Sequence, residues 1–101
     1  MPSTIQLSIV VPVFNEVESL PFLYEQVAAA VAPMKISWEL ILVDDFSTDG
    51  SHEVMLDLRK RDPHLRIVRF SRNYGQTAGL AAGFDVSRGE VVVTMDGDLQ
   101  N

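Results

Sequence analysis

The sequence predicts an α/β fold, a Rossmann-like parallel sheet built in the order βαβαβαβ. Three observations carry this. The apolar residues alternate along the chain between short β-branched runs and stretches of helical period. The β-branched runs are nearly continuous rather than alternating, as in strands buried on both faces. The connections are short, which suits a parallel sheet with right-handed helical crossovers.

Leu7 to Val13, LSIVVPV, is the first strand, with Pro12 near its end, where a missing ladder donor costs least. Next, Leu20, Leu23, Tyr24, Val27, Ala28 and Val31 fall on one helical face. Either Asn15 or Ser19 serves as the cap of that helix, and Pro21 fits its first turn. Trp38 to Val43, WELILV, is the second strand, followed by the turn-rich loop DDFSTDGS. HEVMLDLRKRD is a shorter helix, opened by a Ser or Asp cap and closed before Pro63. LRIVRF is the third strand and SRNYGQ a loop. TAGLAAGFDVS is an Ala-rich helix whose Gly79 and Gly83 leave one face bare for close approach. Gly89 ends it, and EVVVTM is the fourth strand.

Composition excludes several classes. With 101 residues and 47% hydrophobic content, the chain suits one small packed domain. It has no cysteine, so neither disulfides nor thiolate chemistry enter. A net charge of −6 argues against nucleic acid as a partner. No apolar run approaches the roughly 20 residues of a membrane span, and MPSTIQLSIVVPVF lacks the basic start of a secretory signal. A soluble, cytoplasmic chain is expected.

The polar residues fall where chemistry would use them. Asn15 and Glu16 follow the first strand, Asp44 and Asp45 the second, Arg72 and Asn73 the third, Asp96 and Asp98 the fourth. In a parallel sheet these ends share one edge, where open α/β sheets bind ligands. Each element alone has a plain structural reading: a turn, a helix cap, a surface ion pair. Four such loops together favour a site. Clustered carboxylates repel unless a proton or cation is shared. Asp96 and Asp98 suit a hard cation, Mg²⁺ or Mn²⁺, held together with a phosphate. Ionised Asp44 and Asp45 accept hydrogen bonds only, as ribose hydroxyls or base N–H groups would require. Arg72 suits a phosphate charge. The composite ligand is a metal-bound nucleoside diphosphate. No G-x-G-x-x-G or Walker A loop is present. His52 and His64 have no partners at metal-ligand spacing and read as surface residues.

IVVPVFNE, ILVDDFSTDGS, RNYGQTAGLAAGF and VTMDGDLQN, taken in order, resemble glycosyltransferase family 2, and most of all its polyprenyl-phosphate branch. The resemblance runs from Leu7 to Asn101. It implies a GT-A fold, of which residues 1–101 would be the N-terminal nucleotide-sugar-binding part, truncated just after the D-x-D motif. Pro12, Phe14, Asn15 and Glu16 match the family's first nucleotide-binding loop. Asp44 and Asp45 match its acidic pair for base and ribose. Asp96, Gly97 and Asp98 match D-x-D, with Asp98 facing metal and diphosphate and Asp96 facing ribose or diphosphate. Gln100 matches a glutamine beside the metal, and Arg72 to Gln76 a segment typical of the branch. Ala often stands in the family where Gly97 does, a difference expected only to loosen the turn. The implied reaction is inverting, metal-dependent transfer from a UDP- or GDP-sugar, with UDP favoured, to a lipid phosphate. The longer parent would work at the cytoplasmic face of the membrane. The 101 residues alone are expected to be inactive, with Asp98 their contribution to catalysis, and to self-associate through an exposed fourth-strand edge.

Rival readings are a receiver-like phosphoacceptor, a D-x-D phosphatase and a non-catalytic nucleotide-binding or interaction module. In the first two the acidic motif normally follows the first strand, whereas Asp44-Asp45 follow the second and Asp96-Asp98 the fourth.

Overall fold

The computed structural model describes residues 4–97. Strands β1 (Leu7–Val13), β2 (Trp38–Asp44), β3 (Leu65–Arg69) and β4 (Val91–Thr94) alternate with helices α1 (Leu20–Val31), α2 (Ser51–Arg61) and α3 (Gln76–Val86). All the strand pairings are parallel, and the sheet order is β3-β2-β1-β4. The chain steps outward from β1 through β2 to β3, then returns to add β4 on the other side of β1. That reversal makes the β1/β4 boundary a topological switch point.

Strand alternation builds two cores of unequal depth. Ile9, Val11 and Val13 share one face with Leu40, Leu42 and Leu65, covered by Leu20, Leu23, Val27 and Val31 of α1 and Met55 and Leu58 of α2. The other face presents Val10, Ile41 and Val43 to α3, with Leu80, Ala82 and Val86 against them. The two glycines of α3 bring it close: a Cβ at Gly83 would lie 2.2 Å from Val10 Cγ1, and one at Gly79 3.2 Å from Pro12 Cβ. β4 is the thin edge, with Val91 and Val93 exposed.

The expected elements are all present, with local corrections. Ser19 holds the cap position of α1 but makes no side-chain capping bond. Asn15 instead adopts φ +53 and serves the neighbouring loop. The cap position of α2 is Gly50, at φ +96, where a left-handed backbone favours glycine. Asp49 supplies the side chain there, accepting the N–H and hydroxyl of Ser51 at 3.0 and 2.6 Å. A 3₁₀ turn, Ala32–Met34, follows α1 and was not signalled by periodicity. Of the two histidines, His64 is exposed and His52 half-buried. His64 stacks on Trp38 at 4.1 Å and its Nδ1 lies 2.6 Å from Asp62 Oδ1, while His52 packs against Asp44.

Candidate nucleotide-binding cleft

The carboxyl ends of the strands surround a cleft of about 330 Å³, within the roughly 300–1,000 Å³ of small-molecule sites. The end of β1 supplies Pro12, Val13 and Phe14, and the following loop supplies Glu16. Asp45 enters from the end of β2, Gln76 from the start of α3, and Asp96 and Gly97 from beyond β4. The cleft therefore sits at the switch point, where β1 and β4 part company.

Its wall is laced together by side chains that reach between loops. Ser47 Oγ accepts the Asn15 N–H at 3.0 Å, and Asn15 Oδ1 accepts the Thr48 N–H at 2.8 Å. Ser51 Oγ accepts the Glu16 N–H at 2.9 Å, and Asp49 Oδ2 that of Val17 at 3.2 Å. Asn15 thus builds the cleft without lining it. The polar tract DDFSTDGS is a scaffold for the β1 loop, a role its turn-like composition did not distinguish from an ordinary loop.

The acidic pair splits. Successive strand residues point to opposite sides, so Asp44 falls in line with Leu40 and Leu42 on the α2 face. It is fully buried and is not among the described residues lining the cleft. Its Oδ1 accepts the Ser47 N–H at 2.8 Å, and its Oδ2 lies 3.4 Å from both His52 Nδ1 and Arg69 Nε. Asp45, also buried, faces the cleft. Its two oxygens accept the backbone N–H groups of Tyr74 and Gly75 at 2.7 and 2.8 Å. Asn73 Nδ2 donates to the Asp45 carbonyl at 3.2 Å. Asp45 therefore anchors the RNYGQ turn while it lines the cleft.

Arg72 lies outside the cleft lining. It is exposed, its Nε donates to the Tyr74 hydroxyl at 2.9 Å, and its guanidinium lies 5.1 Å from the Tyr74 ring centroid. Among the described residues it has no carboxylate partner. Phe14 is 46% exposed, an aromatic face open to solvent at the cleft. Gly97 does more than loosen a turn: it is buried, and a Cβ there would lie 2.9 Å from the Pro12 carbonyl. Asp98 and Gln100 lie outside the described residues. The carboxylates of Glu16 and Asp96 offer the oxygen-only donors that a hard divalent cation prefers. Among the described residues, no group of three ligating side chains stands close enough to hold a metal. The donor type fits; Asp98 and Gln100 are the further ligands that the sequence resemblance implies. Sequence reasoning missed Val13 and Gln76 as lining residues. The sequence puts Gln76 in the loop before α3, whereas it is the first residue of the helix, and the glycine preceding it is the available signal for that start.

A parallel sheet with helices on both faces and a cleft at its switch point is an α/β, Rossmann-like unit. The family model for Glycosyl transferase family 2 matches residues 8–101, and the chain belongs to that family. It is 50% identical to a dodecaprenyl-phosphate galacturonate synthase of Rhizobium johnstonii, over 97% of this chain and 29% of the relative. It is 42% identical to an undecaprenyl-phosphate 4-deoxy-4-formamido-L-arabinose transferase of Salmonella paratyphi A, over 95% of this chain and 30% of that one. The chain spans under a third of these curated relatives. In fold it is similar to a Pyrobaculum calidifontis mannosyltransferase solved with GDP-Man and Mn²⁺, with TM-score 0.83, 22% identity, and coverage of 97% and 31% of the two chains. It is likewise similar to Staphylococcus aureus TarS solved with UDP, with TM-score 0.79, 22% identity, and coverage of 93% and 28%.

Proposed function

We propose that this chain is the nucleotide-sugar-binding part of a longer transferase that moves a sugar from a nucleoside diphosphate to a polyprenyl phosphate, with inversion. The observation that carries the reading is the cleft at the β1/β4 switch point, lined from four separate loops in a member of this family. The curated relatives, polyprenyl-phosphate transferases by name, supply the acceptor class.

In this reading Phe14 offers its ring to the base, and Asp45 accepts from base or ribose while holding the RNYGQ turn. Asp44 acts from behind by fixing the turn at Ser47. Asp96, Asp98 and Gln100 would hold a divalent ion, Mg²⁺ or Mn²⁺, beside the diphosphate. Such an ion offsets charge on the departing diphosphate. Arg72, on the same edge but outside the cleft lining, would reach a phosphate only by leaving Tyr74. A lipid phosphate is already anionic, so the acceptor needs little activation and the reaction rests on positioning. The 101 residues would bind donor without transferring it, and their β4 edge would pair with a further strand or a second copy. Among the described residues no helix is long and apolar enough to cross a membrane; in this reading the longer protein meets its lipid acceptor at the cytoplasmic face of a membrane.

Calorimetric titration with UDP and GDP, with and without Mn²⁺, tests this reading. Metal-dependent binding that Asp98→Ala abolishes is the expected outcome. Binding indifferent to both metal and Asp98 would remove the assigned role of the D-x-D loop. A folded chain that binds neither nucleotide would count against the whole reading.

A further inference from the structure

We propose that Gln76 donates a hydrogen bond to the diphosphate of the bound nucleotide, a contact that rests on the nucleotide reading above and gives it a specific polar partner. The cleft is acidic: Glu16, Asp45 and Asp96 line it, and ionised carboxylates can only accept. A diphosphate also brings acceptors alone. A metal can bridge the two sets at one place, but the remaining phosphate oxygens need donors. Among the described lining residues, Gln76 carries the sole side-chain N–H donor. Arg72, the cation one would first suggest, is turned to Tyr74.

The position of Gln76 is built rather than incidental. It is the first residue of α3, directly after Gly75, whose φ of +97 is one that glycine tolerates best. The carboxylate of Asp45 grips the N–H groups of Tyr74 and Gly75 immediately before it. Close packing of Gly79 on Pro12 sets the start of α3 against the end of β1. Two cleft elements therefore fix the backbone that carries Gln76. The first turn of α3 adds the positive end of its helix dipole in the same direction.

The test is calorimetry on the chain and its Gln76→Ala and Gln76→Glu variants, in Mn²⁺, using whichever of UDP and GDP binds the wild type more tightly. The matching nucleoside, which lacks phosphates, is titrated by NMR shift changes. Gln76 is exposed, and circular dichroism verifies that both variants fold. The expected result is a loss of diphosphate affinity of roughly tenfold for Gln76→Ala, as for one hydrogen bond to a charged acceptor. Gln76→Glu should lose more, because it sets a like charge against the phosphates, while nucleoside binding stays unchanged in both. Equal losses for nucleotide and nucleoside would overturn the diphosphate contact, as would unchanged nucleotide affinity. A wild-type chain that binds neither nucleotide would instead fail the functional reading itself.

Discussion

Strand β2 carries a buried acidic residue near each end, and the two ends are finished differently. Glu39, at the amino end, is saturated. It accepts from Ser8 Oγ at 2.6 Å, the Arg88 N–H at 2.7 Å, and the guanidinium groups of Arg66 and Arg88 at 2.9 and 3.1 Å. Burial by itself would raise its pKa, but these hydrogen bonds from Ser8, Arg88 and Arg66 outweigh it and hold the carboxyl at about 2. The carboxyl end is left open. Asp44 Oδ2 and His52 Nδ1 are buried without a hydrogen bond among the described residues, Oδ2 having only the 3.4 Å approaches of His52 and Arg69, and the acids beyond them line a cleft with no cation in its described wall. A buried carboxylate with two arginines around it ties the start of β2 to β1, β3 and the segment after α3. Acidic residues converging on a cleft whose described lining holds no Lys or Arg favour a ligand that brings positive charge, as a ligand-bound metal would.

The largest expected effect lies at the closed end. Glu39→Gln should cost about 3 kcal/mol of stability in urea denaturation, since it strips the charge from a buried pair with two arginines. Nucleotide affinity should be unchanged, because the substitution is at the far end of the strand. The same residue sets an acid limit. Its folded pKa lies below the ordinary value of 4.5, so its contribution is complete above about pH 4.5 and is lost as pH falls through about 2. A wild-type stability profile should drop through that window, and the Glu39→Gln profile should be flatter there. Parallel profiles would show that Glu39 is not the group responsible.

At the open end the ranking of properties should invert. Asp45→Ala should weaken UDP or GDP binding by at least tenfold in calorimetry, since it frees the RNYGQ turn and removes an acceptor from the cleft. Its stability cost should stay near 1 kcal/mol, because water can reach the freed N–H groups of the exposed turn. A stability loss like that of Glu39→Gln would erase the distinction between the two ends. Asp44→Asn should be the mildest: an amide oxygen still accepts from Ser47, and the charge lost faces only the 3.4 Å approach of a half-exposed Arg69. A change in thermal midpoint equivalent to under about 1 kcal/mol is expected.

Most of the fold was legible because it rests on period. The runs at Leu7–Val13 and Trp38–Val43 and the spaced leucines and valines of α1 are one-dimensional signals of burial. The paired glycines of α3 were legible too, since a bare helix face has little other use. The site was legible only as a set of loops on one edge. That Asp44 and Asp45 take opposite sides depends on β2 extending one residue further, to Asp44, in register with Val13 and Arg69. The partnership of Glu39 with Arg66 and Arg88 joins positions 27 and 49 residues apart, a separation that leaves no local pattern. Gln76 was hidden because loop and helix start differ there by one residue, and the deciding feature is the backbone angle of Gly75.

The central claim, that one end of the sheet is a ligand site and the other a structural clasp, is tested most directly by amide hydrogen exchange with and without UDP or GDP and Mn²⁺. The account predicts ligand-induced protection at residues 14–16, 45–48, 74–77 and 95–97, with no change around Glu39, Arg66 and Arg88. Protection spread evenly over both ends, or confined to the Glu39 end, would contradict it.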